Sequence, residues 1–188
     1  MEWIAALIRA IGASFPGAAS LVQLNSEIES SNTNRRLDRL EDPISALHPE
    51  VRQLSSEIYL ALKGGAATTL AFDDSFYQRF GRPLAALEAD GEIKAGHTLN
   101  KRYAFGFRIT SPVYILYMAP LFESKHKMSK LVQTVDACKA GDRLDGNAVA
   151  VQLGIPVSVV RSVLELYRDK GYGLLSDEPG SSKYMAKV

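Results

Sequence analysis

Three histidines, one cysteine and a scatter of serines are the side chains that metal binding or nucleophilic catalysis would recruit in this chain. His48, His97 and His126 stand far apart, with no cysteine partner or carboxylate at metal-ligand spacing. No zinc site is expected from them. Cys138 has no partner for an intrachain disulfide, which points to a reducing compartment and a cytoplasmic protein. It lies in LVQTVDACKAG on the apolar side of an expected helix, where a thiol is buried and inert. Gly64-Gly65 lacks the rest of a phosphate-binding loop, and no Gly-x-Gly-x-x-Gly occurs. No serine stands in a nucleophile elbow. The residues therefore suggest no catalysis and no cofactor.

Binding chemistry is better represented. The net charge is only +1, so the molecule as a whole is no electrostatic glove for nucleic acid. The balance is uneven, however: residues 125–188 carry 10 basic and 7 acidic side chains. The segment Lys101–Arg108, KRYAFGFR, places Lys101, Arg102 and Arg108 around Tyr103, Phe105 and Phe107. It partly matches the aromatic motif on which RNA-recognition domains stack bases. Arg102, Gly106 and Arg108 depart from that motif, and the surrounding order of elements is wrong for that fold. Alternation puts the three aromatics on one face of a strand, where a place in the core competes with base stacking.

The elements that position these groups follow from periodicity. Residues 1–42 form a helical arm. Trp3, Ile4, Leu7, Ile8, Ile11 and Phe15 make a helical stripe that suits packing on the body, a homodimer or partner contact, or a membrane surface. Glu2 and Arg9 argue against a secretory signal, and no apolar run is long enough for a transmembrane helix. A second helix over residues 18–41 carries Arg35, Arg36 and Arg39 among Asp38 and Glu41, a pattern of solvated charge.

Asp42-Pro43 and His48-Pro49 mark a boundary, and residues 43–124 read as a compact α+β unit. Val51, Leu54, Ile58 and Leu62 predict an amphipathic helix ended by Gly64-Gly65. A short strand over 67–72, a short helix capped by Asp73 or Asp74, and another begun at Pro83 follow. EIKAGHTL and RYAFGFRIT predict a hairpin. Pro112 opens an apolar helix that Pro120 can kink.

Residues 125–188 carry the stronger pattern. A helix with Leu131, Val132, Val135 and Cys138 inward stops at Gly141, and Asp145 caps a second. Leu153-Gly154-Ile155 makes a tight turn in which Gly154 takes positive φ. A third helix starts at Pro156 or Val157, with Val160, Val163, Leu164 and Tyr167 inside. Residues 173–177 and 183–188 then pair around Pro179-Gly180. The whole is α+β and mainly helical.

The stretch AVAVQLGIPVSVVRSVLELYRDKGY resembles the helix-turn-helix of the winged-helix superfamily of bacterial regulators. A small residue, Leu-Gly-Ile, Val-Arg early in the next helix and a closing Gly-Tyr carry the likeness, which covers residues from about 127 to 188. The element order over about 50–110 resembles a degenerate second copy without the apolar-Gly-apolar turn.

The resemblance implies double-stranded DNA as partner, with helix 157–170 in the major groove and the wing on the backbone. Its outward residues would be Ser158, Arg161 and Ser162, then Glu165 and Arg168, with Arg161 forked to guanine O6 and N7. Ser181, Ser182 and Lys183 would meet phosphates, as would Lys101 and Arg102 in a first wing. Val157 and Val159 stand where binders carry polar groups, Glu165 repels phosphate, and Asp177 and Glu178 acidify the wing. Arg161 can instead pair with Glu165 one turn on. Two readings stand: a dimeric, DNA-binding transcription regulator, and a non-enzymatic adaptor whose winged helices and N-terminal helix make protein contacts.

Overall fold

The computed structural model describes Ile44 and residues 47–65, 68–96, 106–176 and 182–187. The expected N-terminal helices, with Trp3, Ile4, Leu7, Ile8 and Ile11, lie outside them, as do Lys101, Arg102, Tyr103, Phe105 and Ser181. Among the described residues the fold is α+β, mainly helical, with six helices and two three-stranded antiparallel sheets. No helix among them is long and apolar enough to cross a membrane.

Helix α1 (Val51–Lys63) buries Val51, Leu54, Ile58 and Leu62, the expected i, i+3/i+4 stripe, and ends at Gly64. Strand β1 (Thr69–Leu70) leads to α2 (Asp74–Ala89), whose N-cap Asp73 accepts the Phe76 N–H at 2.9 Å. The break expected at Pro83 does not occur. One 16-residue helix runs through it. Pro83 forfeits only its own N–H bond, while Phe80, Pro83, Leu84 and Leu87 form one unbroken buried face. Packing of that face outweighs the lost bond.

Strands β2 (Ile93–Gly96) and β3 (Gly106–Ile109) pair antiparallel as expected, and β1 joins on the far side of β3. Phe107 is buried, so this aromatic of the KRYAFGFR segment belongs to the core. Gly106 is needed there: a β-carbon would stand 2.7 Å from the Leu70 carbonyl oxygen.

Helix α3 (Pro112–Phe122) starts from the Ser111 cap and buries every residue from Tyr114 to Ala119. A helix apolar on all sides must be covered on all sides. Here α1 packs on it, and so does α6 (Val157–Asp169) from the C-terminal half. Between them come α4 (Lys125–Asp136), β4 (Arg143–Asp145) and α5 (Gly146–Leu153). Strands β5 (Gly173–Leu175) and β6 (Lys183–Ala186) close the chain. Strand β4 was not expected. It pairs with β6, giving the order β4-β6-β5, which repeats the β1-β3-β2 order of the first sheet. The expected helix around Cys138 ends earlier, at Asp136, and the half-buried thiol donates to the Thr134 carbonyl beyond the last turn.

Two carboxyls sit at the seams. Glu123, just after α3, is buried and accepts from Lys63 at 3.0 Å, Lys127 at 2.9 Å and the Tyr59 hydroxyl at 3.3 Å. Glu92, just before β2, is different: its Oε2 is buried and meets no donor. Burial pushes the Glu92 carboxyl above its ordinary range, against a hydrogen bond from Ser111, and Asp90 adds to the rise.

A pH dependence follows. A raised folded-state carboxyl contributes stability below the ordinary carboxylate range and loses it as pH rises through the folded value. Glu92→Gln is therefore expected to be more stable than the wild type at about pH 7, with the difference shrinking toward about pH 4. Thermal unfolding midpoints at the two pH values check this; a variant less stable at both would contradict it.

Candidate interaction surfaces

The helix-turn-helix of the second half is built as its residues dictate. Asp145 caps α5 by accepting the Asn147 N–H at 2.9 Å. Gly154 adopts φ 59° and ψ 46°, the left-handed conformation that favours glycine. Lys127 donates to the Gly154 carbonyl at 3.0 Å, tying the turn to α4. Gly146, at the start of α5, lies against β6. A β-carbon there would stand 2.7 Å from Ser182 Cβ and 2.8 Å from the Ser182 carbonyl oxygen. Gly146→Ala is thus expected to cost about 1–3 kcal/mol by overpacking against backbone, measured by urea unfolding.

Helix α6 presents a half-exposed stripe of Ser158, Arg161, Glu165 and Arg168. Its charges are matched within the molecule. Arg161 Nε meets Glu165 at 3.0 Å, and its Nη2 reaches the Ser176 carbonyl at 3.4 Å. Arg168 meets Asp169 at 2.8 Å. The serine hydroxyls are withdrawn from solvent. Ser162 is 1% exposed, Ser182 is equally buried, and the Ser158 hydroxyl is shielded from solvent. The expectation that Ser162 and Ser182 face outward is corrected. Ser162 falls among Val159, Val163 and Leu166, all buried on a helix that α3 flanks. Ser182 lies against Gly146. Val159, expected outside, is buried for the same reason. Apolar side chains stand open near the turn instead: Val151 is 82% exposed and Val157 39%.

The outward faces of the two sheets differ. On the first, Thr69, Arg108 and Lys94 lie side by side across three strands, all exposed. Like charges directly opposite on neighbouring strands repel. Neither Arg108 nor Lys94 forms an ion pair with a described residue. On the second sheet the corresponding row is Arg143, Met185 and Leu174. Lys183 lies beside Asp145 in the next row. So Lys183 stands on an exposed sheet face beside a carboxylate.

Lys94 was not singled out from sequence, although alternation in EIKAGHTL places it opposite in facing to Ile93 and Ala95. That it stands against Arg108 depends on the strand register, which spacing alone does not specify.

No protein-family model matches this chain, and no curated protein or solved structure is significantly similar to it.

Proposed function

We propose that the chain is a non-enzymatic protein of two winged-helix units in tandem, the first degenerate, that binds the phosphate backbone of duplex DNA. The order helix, strand, helix, helix, hairpin over residues 125–186 supports the winged-helix reading, as does the shared strand order of the two sheets. Fusion of two helices into α2 is the way the first copy departs from the second.

The single observation that carries the DNA reading is the Lys94–Arg108 pair. Two repelling cations side by side on an exposed sheet are relieved by an anion, and a phosphate backbone supplies one every few ångströms. On this reading DNA is gripped by the first wing, and α6, with its charges already matched, reads no bases. A regulator of this kind would select DNA by shape and charge more than by sequence.

Anisotropy titration of a mixed-sequence duplex at two salt concentrations tests this. Two phosphate contacts give log K against log salt a slope of about −2, and Lys94→Ala or Arg108→Ala each makes it shallower by about 1. Absence of binding at low salt, or a slope that neither variant changes, would refute the reading.

Val151 and Val157 favour a second reading. Exposed valines on both sides of the turn suit a partner protein better than a polar groove. Co-purification of a partner that Val151→Asp abolishes, with no DNA binding, would establish that reading.

A further inference from the structure

We propose that the outward face of the β4-β6-β5 sheet docks an extended peptide of a partner protein that carries apolar and acidic side chains together on one face. This surface is separate from the Lys94–Arg108 row and does not rest on the DNA reading. Leu144, Tyr184 and Leu175 turn inward, so Arg143, Met185, Leu174, Lys183 and Lys187 share the outer face. Of these, Arg143, Met185, Leu174 and Lys183, together with Asp145, border an open groove of about 540 Å³. No helix of the described residues covers it.

The groove is amphipathic in a particular way. Its centre is the cross-strand pair Met185–Leu174, and Leu174 is 48% exposed. Its margins hold Arg143 and Lys183, neither of them ion-paired with a described residue. The carboxylate on this face, Asp145, is occupied in capping α5. An apolar centre with a cationic margin is complementary to apolar side chains flanked by carboxylates. An extended chain offers these on alternate residues, with side chains of one face meeting the sheet together. Phosphates would satisfy the cations but leave Leu174 and Met185 with nothing gained, which is why a peptide is favoured over nucleic acid.

The probe is a short labelled peptide in which glutamate, leucine and glutamate occupy every second position with serine between them, so that all three share one face, titrated into the full chain and followed by anisotropy and by backbone amide shifts. The expected result is saturable binding that moves the amides of Arg143, Leu174 and Met185. Leu174→Ser and Lys183→Glu should each weaken it about tenfold. Both positions are solvent-facing, and unchanged thermal midpoints confirm that each variant is folded. Lys94→Glu, which tests the DNA reading, should leave peptide affinity intact.

Equal affinity for the same peptide with lysine in place of glutamate, or full affinity in Leu174→Ser, overturns the proposal. Competition by duplex DNA that depends on Lys183 but not on Leu174 reassigns the face to nucleic acid and overturns it too. A dimer seen in sedimentation that Leu174→Ser dissolves assigns the face to a second copy, with the same consequence.

Discussion

Glu123→Ala is expected to destabilise the protein by about 3 kcal/mol in urea unfolding. The carboxylate is buried at the end of α3 and is reached by Lys63 from α1, Lys127 from α4 and the Tyr59 hydroxyl. Removing one partner of a buried charged network typically costs about 3–5 kcal/mol, because the remaining groups stay desolvated. Here Lys63 and Lys127 are 51% and 35% exposed, so each recovers some hydration. That places the cost at the lower end of the range. The Tyr59 hydroxyl has less chance to recover water, being buried with its ring stacked on Phe122.

The same substitution reaches the helix-turn-helix. Lys127 holds the Gly154 carbonyl as well as Glu123, so its loosening should raise amide exchange at the turn. The pH profile gives a separate check. Burial pushes the Glu123 carboxyl up, but hydrogen bonds and charge from Lys127 and Lys63 outweigh it and hold the group below its ordinary range. A lowered folded-state value means stability present above the ordinary carboxylate range and lost as pH falls through the folded value. Glu123→Gln should therefore flatten the acid limb. A Glu123→Ala protein within about 0.5 kcal/mol of wild type would show that the network contributes little.

The second large effect concerns DNA. Lys94→Glu combined with Arg108→Glu should abolish measurable duplex binding at moderate salt, a loss of at least a hundredfold. Each reversal removes one released counterion and adds a repelled carboxylate beside the backbone. Stability should not suffer. The wild-type row sets like charges opposite one another, and the double variant merely changes their sign. A single reversal, Lys94→Glu alone, creates a cross-strand pair with Arg108. It should be as stable as wild type or slightly more so, yet bind DNA weakly. That opposition of stability and affinity separates a binding role from a structural one. Undiminished binding in the double variant would place any DNA contact elsewhere.

Much of the second half was legible from its residues. Leu153-Gly154-Ile155 specifies the turn because few residues besides glycine tolerate the left-handed backbone there, and its neighbours must plug the core. Asp145 was legible as a cap because an acceptor before a helix has an orphan N–H to meet. The Pro83 break was misread because local rules weigh one lost hydrogen bond without the apolar face that spans it. Strand β4 escaped because RLD is too short to show alternation, and only β6 gives it a partner.

By itself the sequence determined the local elements that periodicity and punctuation dictate: helices α1 and α6, the Gly154 turn, and the two hairpins. It also determined the composition of each surface. Tertiary structure decided what those surfaces present. Helix α3 covers α6 and draws Val159 and Ser162 inside, a contact between residues some 40 positions apart that no window of sequence displays. Strand register set Lys94 against Arg108 and Met185 against Leu174. Register arises from long-range pairing of backbone and buried side chains, so which charges repel, and which find a mate, is settled only when the strands meet.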